Sequence, residues 1–154
     1  LEAVSLDPDL VMDRRPHEFS GGQCQRIAIA RALIMAPRLV ACDEPASALE
    51  VSVRAQILNL LEDMKARYSL TLLFISHDLA VVKNISDRVA VMYLGRLCEL
   101  ASSDRLYEAP LHPYTAALRA AIPVKDSERD DNSSRVVRGD LPAPMKPPSG
   151  CGCR

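Results

Sequence analysis

The spacing of apolar residues changes character several times along the chain, and each change predicts an element. Between residues 23 and 35, QCQRIAIARALIM, the residues Ile27, Ala30, Leu33 and Ile34 recur at helical spacing and Pro37 stands just beyond them. This predicts a half-buried helix that stops before the proline. LVAC at 39–42 and LTLLFI at 70–75 are short, unbroken apolar runs, the pattern of buried strands. Between them, residues 51–67 carry Val53, Ile57, Leu60, Leu61 and Met64 as one stripe with charges on the other side, so a longer amphipathic helix joins the strands. A second short helix is expected after His77. Strand, helix, strand, helix implies a parallel sheet flanked by helices, an α/β fold. RVAVMYLGRLCELA at 88–101 then alternates on either side of Leu94 and Gly95, as a β-hairpin does. A helix around 114–121 closes the ordered part. The first fifteen residues hold no complete helix or strand pattern, and no internal repeat is present. From Pro123 onward, stretches such as SERDDNSSR and PAPMKPPSG are rich in charge, Ser and Pro, which predicts an extended carboxyl-terminal tail over 123–154 beside a domain over 1–122.

Composition narrows this picture without naming a function. The 154 residues are 48% hydrophobic and 25% charged, as in an ordinary globular domain. With 19 basic against 20 acidic residues, the net charge is -1, so no field is expected that would hold nucleic acid or anionic lipid. No apolar run approaches the ~18 residues that span a bilayer, and LEAVSLDPDL lacks the basic and apolar regions of a signal peptide, which predicts a cytosolic chain. The five cysteines, Cys24, Cys42, Cys98, Cys151 and Cys153, are odd in number, and three lie singly within regular segments; reduced thiols are expected. The chain begins with Leu1 and reads as a fragment.

Three segments carry candidate chemistry. Ser20, Gly21, Gly22 and Gln23 stand immediately before the first helix, where free backbone N–H groups and the positive end of the helix dipole attract an anion, phosphate foremost. The same residues also read as a capping box, Ser-x-x-Gln, with glycines shaping the turn. Asp43 and Glu44 end an apolar strand, on the side where open parallel sheets bind ligands. One carboxylate there can hold magnesium, directly or through water, and the second can orient or deprotonate an attacking water. The alternative is an acidic loop start before Pro45, with Ser47 and Glu50 capping the next helix. His77 ends the next strand and shares an edge with both acids if the strands are adjacent and parallel. An imidazole in that place can hydrogen-bond a terminal phosphate. Against this stands a capping neighbourhood in which Ser76 or Asp78 caps the following helix and His77 is incidental.

In their order and spacing, HEFSGGQCQRIAIARAL, LVACDEPASALE and LLFISHDLAVV resemble the ABC ATPase succession of signature motif, Walker B strand, D-loop and switch-histidine loop, over roughly residues 16–122. The resemblance implies a P-loop NTPase-like sheet, with ATP and magnesium as cofactors. It implies that Ser20, Gly21, Gly22 and Gln23 contact the gamma-phosphate of ATP held by an opposite subunit. Asp43 is then the magnesium residue, through water, Glu44 the catalytic carboxylate and His77 the switch histidine. SVRAQILNLL at 52–61, LHPYTAALRAAIP at 111–123 and DLPAPMKPPSGC at 140–151 resemble the branch that powers oligopeptide or dipeptide import. That branch implies a second ATPase subunit and transmembrane permease subunits as partners, no nucleic acid, and a place on the inner face of the plasma membrane. For His112 to Tyr114 a purely structural reading also exists, a proline-started helix with Tyr114 packed beneath it.

Several positions depart from that pattern. No G-x-x-x-x-G-K-[ST] phosphate-binding loop occurs, since none of the six glycines is followed by Lys, so the chain alone is expected to be inactive. The Q-loop and most of the helical subdomain are absent too. Cys24 replaces a commonly basic residue, and Glu50 the usual D-loop Asp. Cys151 and Cys153 give two thiols where a cluster takes four ligands, so no iron-sulfur site is assigned. Two rivals remain: a non-transport ABC ATPase acting on DNA, disfavoured by HPYT, PPSGC and the lack of a basic surplus, and a non-catalytic remnant or interaction protein.

Overall fold

Residues 1–122 are described by the structure, a computed structural model, and they fall into two units, Leu1–His77 and Asp78 onward. In the first unit, single 3-10 turns at Glu2–Val4 and Pro16–Glu18 flank α1 (Pro8–Val11), whose amino end is capped by the Asp7 carboxylate accepting from the Asp9 N–H at 3.0 Å. Short turns therefore occupy the stretch in which no periodic pattern is legible. There follow α2 (Gly21–Leu33), β1 (Leu39–Asp43), α3 (Val51–Tyr68) and β2 (Thr71–Ile75).

The two strands pair in parallel, in register from Leu39 opposite Thr71 to Asp43 opposite Ile75. Val4, Leu6, Leu60, Met64 and Leu70 are buried together, and Ile27, Ile29, Ala30 and Leu33 of α2 pack against them with Val40 of β1 and Leu72 of β2. Thus the helical stripe read over 51–67 is the buried side of α3. Two expectations change. Both apolar runs read as buried strands, yet Leu39, Leu73 and Ile75 are 57%, 54% and 48% exposed. Successive side chains point to opposite faces of a sheet, and only the face bearing Val40, Cys42, Leu72 and Phe74 is covered to any degree here. Likewise Ile34 stands at the carboxyl cap of α2 rather than within it and is 79% exposed, while Ile29 supplies the inward contact.

In the second unit, Asp78 caps α4 (Leu79–Ile85), its carboxylate accepting from the Ala80 and Val81 N–H groups at 3.0 and 3.3 Å. The hairpin is β3 (Arg88–Tyr93) with β4 (Arg96–Ser102), antiparallel, and it shifts register between Val91 and Met92. Leu94 (φ 48°) and Gly95 (φ 74°) form its two-residue turn; positive φ at both positions matches the twist of the flanking strands. Next come α5 (Ser103–Glu108), which has no forerunner in the sequence reading, and α6 (Pro113–Ala120). Val82, Val89, Val91, Leu106 and Tyr107 form the core here, with Tyr114 and Leu118 of α6 against it.

The HPYT stretch has a structural explanation. His112 caps α6, its Nδ1 accepting from the Tyr114 N–H at 3.2 Å, and Pro113 begins the helix. Tyr114 packs against Tyr93 with ring centroids 4.5 Å apart. The buried Glu99 carboxylate accepts from the N–H groups of Leu111 at 2.9 Å and His112 at 3.0 Å. The readings of residues 123–154, including Cys151 and Cys153, lie outside the described residues.

Candidate functional site

Parallel pairing brings the carboxyl ends of β1 and β2 to one edge, because adjacent parallel strands end together. Asp43 ends β1 opposite Ile75, and the Glu44 N–H donates to the Ile75 carbonyl at 3.0 Å. At that point the chain turns sharply: Glu44 has φ 47°, a left-handed conformation that is unusual for a residue other than Gly, Asn or Asp and concentrates at functional sites. The turn aims the Glu44 carboxylate at the loop after β2. Its Oε1 accepts from the His77 N–H at 3.0 Å and lies 2.7 Å from His77 Nδ1. His77 remains 77% exposed and Glu44 34% exposed, so the pair is formed yet open to a ligand. Asp78, the next residue in the sequence, caps α4, so the capping reading holds for Asp78.

Asp43 is exposed at the end of β1. Among the described residues no group of three or more His, Cys, Asp or Glu side chains is placed to hold a metal. Magnesium commonly takes only one or two carboxylates and completes its shell with water and substrate phosphates. A single exposed carboxylate at a strand end fits that mode, and Asp43 is the residue that would hold the ion.

Ser20, Gly21, Gly22 and Gln23 form a complete capping box at the start of α2. Ser20 Oγ accepts from the Gln23 N–H at 3.3 Å, and Gln23 Oε1 accepts from the Ser20 N–H at 3.0 Å. Ser20 and Gly21 are exposed and Gly22 is buried. The turn hydrogen-bonds neither Glu44 nor His77; its neighbours are Leu49 and Val53, 3.3 and 2.6 Å from where a β-carbon on Gly21 or Gly22 would lie. The structure thus unites Asp43, Glu44 and His77 and leaves the turn as a separate feature of the same unit.

Sequence reasoning missed Arg54. Its Nη2 reaches back to the carbonyls of Ser47 (3.5 Å) and Leu49 (3.4 Å), holding the loop that follows Glu44. Ser47 and Glu50 are not the caps they were read as: Glu50 occupies the capping position of α3 without a side-chain bond, and Ser47 Oγ donates to the Glu44 carbonyl at 3.1 Å. An Arg in the first turn of a helix after an acidic loop is the available signal, and it is weak because such residues are usually solvated. Cys24, Cys42 and Cys98 are free thiols. Burial pushes the Cys42 thiol up from its ordinary value, which disfavours the reactive thiolate next to the acids.

Comparison with known proteins agrees with this geometry. A family model described as ABC transporter matches residues 1–47, and one described as oligopeptide/dipeptide transporter, C-terminal region, matches residues 98–154. The chain is 57% identical over 149 residues to the oligopeptide transport ATP-binding protein OppF of Escherichia coli, a match covering 96% of this chain and 44% of that protein. It is 56% identical over 152 residues to the putative oligopeptide transport ATP-binding protein YkfD of Bacillus subtilis, covering 98% of this chain and 46% of the relative. This chain therefore spans less than half the length of these curated relatives. Among solved structures, an ATP-binding cassette of an ABC transporter in its ADP conformation superposes with a TM-score of 0.63 at 28% identity, over 75% of this chain and 46% of that one. The motif order, the parallel pair whose first strand ends at the two acids and these matches together establish that the chain belongs to the ABC transporter ATP-binding family and carries the oligopeptide/dipeptide transporter carboxyl-terminal region.

Proposed function

We propose that this chain is the carboxyl-terminal part of an ATP-hydrolysing subunit that powers an ABC importer of oligopeptides or dipeptides. The observation that carries the reading is the Glu44–His77 pair at the carboxyl ends of two parallel strands, beside Asp43. On this reading Glu44 takes a proton from an attacking water, and His77 holds Glu44 in line and donates to a terminal phosphate oxygen. Asp43 would hold magnesium, which when bound neutralises developing phosphate charge. Catalysis of this kind is positioning and charge stabilisation more than covalent chemistry.

In the full subunit the turn Ser20–Gln23 faces the ATP of a second ATPase subunit, a copy or a paralogue, and supplies N–H groups to its gamma-phosphate. Permease subunits in the plasma membrane are the coupled partners, and the subunit sits on their cytoplasmic side. No helix among the described residues is long and apolar enough to cross a membrane. The names of the relatives, oligopeptide transport ATP-binding proteins, support the substrate class.

The test is Glu44→Gln in the full-length subunit. The amide keeps the shape and loses the basicity, so ATP binding persists while hydrolysis falls about a hundredfold or more. Asp43→Asn weakens the magnesium dependence instead. Parental hydrolysis by Glu44→Gln would remove Glu44 from the role of base.

A further inference from the structure

Gly22 is buried where α2 meets the first turn of α3, and a β-carbon built on it would lie 2.6 Å from Cγ1 of Val53 and 4.0 Å from its Cβ. That clash has no cheap relief. Val53 is β-branched, so within a helix it is held close to one rotamer, and its methyl cannot swing aside as the end of a long side chain would. A second tie joins the same two helices further along: Arg26 of α2 donates from Nη2 to Gln56 Oε1 of α3 at 3.2 Å and from Nη1 to the Val4 carbonyl at 2.9 Å. The residue after Val53 is Arg54, which grips the carbonyls of Ser47 and Leu49 in the loop that follows Glu44. Leu49 in turn lies against Gly21. The first turn of α3 is thus in contact with both the Ser20–Gln23 turn and the loop leaving the acids.

We infer that Val53 is a positioning residue for the Ser20–Gln23 turn, its side chain seated in the space left by the missing β-carbon of Gly22 so that the exposed Ser20 and Gly21 are held at a fixed distance from α3. The inference rests on the proposed role of that turn in ATP hydrolysis. It assigns Gly22 a reason to be glycine that is separate from any approach of phosphate. It also predicts a sign. In the interior of an exposed helix, Ala in place of Gly stabilises; here it forces α2 away from α3.

The experiment is a cycle of Gly22→Ala, Val53→Ala and the double variant in the full-length subunit, read in two ways. Hydrogen exchange at the Gln23 and Cys24 amides reports the seating of the turn, since these N–H groups bond Ser20 Oγ and the Ser20 carbonyl. ATP hydrolysis per folded subunit reports its use. Gly22→Ala is expected to speed exchange at both amides and to slow hydrolysis, each at least tenfold. Val53→Ala added to it, by making room for the new methyl, restores both to within about threefold of the parent. A parent that hydrolyses no ATP sinks the proposed function, while the exchange cycle still decides whether the contact seats the turn. An active parent with a double variant no better than Gly22→Ala overturns the inference, as does restored exchange without restored hydrolysis. Should Gly22→Ala alone fail to fold, recovered folding in the double variant supports the contact, and its hydrolysis rate decides the positioning role.

Discussion

Glu99 shows how one side chain can organise a segment that its sequence pattern does not advertise. In the alternation of the hairpin it is simply a polar residue at an inward position of β4, where an apolar one belongs. Its burial is explained by the N–H groups of Leu111 and His112, which it accepts from. Burial pushes its pKa up, but these hydrogen bonds and the nearby His112 outweigh it and leave the carboxyl below its ordinary value. A carboxylate with a lowered folded-state pKa contributes stability that is present above its unfolded value of about 4.3 and is lost as pH falls through the folded value. Glu99→Gln removes the charge while keeping the shape, and one of its two terminal atoms becomes a donor facing a donor. At pH 7 the variant should be less stable by about 1–3 kcal/mol. Melting both proteins from pH 7 down to pH 3 should show the gap narrowing below pH ~4, as the parental carboxyl protonates. A gap that stays constant across this range would mean that the charge of Glu99 is not what holds α6.

Among the elements, those with a long or clean period were legible. The α3 stripe of Ile57, Leu60, Leu61 and Met64 is buried as read, the first strand ends at the acids and the second just before Ser76 and His77, and the hairpin turns at Leu94 and Gly95. What was missed has physical causes. Helix α5 is six residues long and leaves β4 directly at Ser102, too short for a 3.6-residue period to repeat. Apolar strands cannot say how many neighbours cover them, so the exposure of Leu39, Leu73 and Ile75 was not readable. At the candidate site, the residue types of Asp43, Glu44 and His77 were legible, whereas the left-handed turn at Glu44 and the grip of Arg54 were not, because both depend on how β1, α3 and β2 close on one another. The capping box at Ser20 was legible as one of two alternatives and is formed. Ser20→Ala is therefore expected to cost about 1 kcal/mol of stability, measured by denaturant titration. A loss near zero would show that the bond of 3.3 Å to the Gln23 N–H contributes little.

For the whole molecule the open question is whether the Ser20–Gln23 turn serves its own subunit or a neighbour, and its separation from Glu44 and His77 bears on this directly. A turn that hydrogen-bonds neither residue of the pair, and whose Ser20 and Gly21 are exposed at a helix start, would suit a nucleotide held by another chain. No G-x-x-x-x-G-K-[ST] loop occurs in these residues, so each complete site would need that loop from the rest of its own subunit, and the signature turn either from that subunit or from its partner. Mixed dimers of the full subunit can decide the matter. One arrangement places Ser20→Arg and a disabled phosphate-binding loop in the same subunit, opposite an unaltered one; the other divides the two lesions between the subunits. If the turn acts across the interface, the first arrangement destroys both sites, because the altered subunit loses its own cradle and lends a blocked turn. The second spoils one site twice and leaves the other intact, so it should retain up to about half the parental hydrolysis if the two sites fire independently. Action within one subunit reverses the outcome: the first arrangement then leaves the unaltered subunit's site working, and the second leaves none. With dimer formation verified for both pairs, residual hydrolysis in the first arrangement equal to or above that in the second would rule out action across the interface and leave Ser20 as the cap of its own helix.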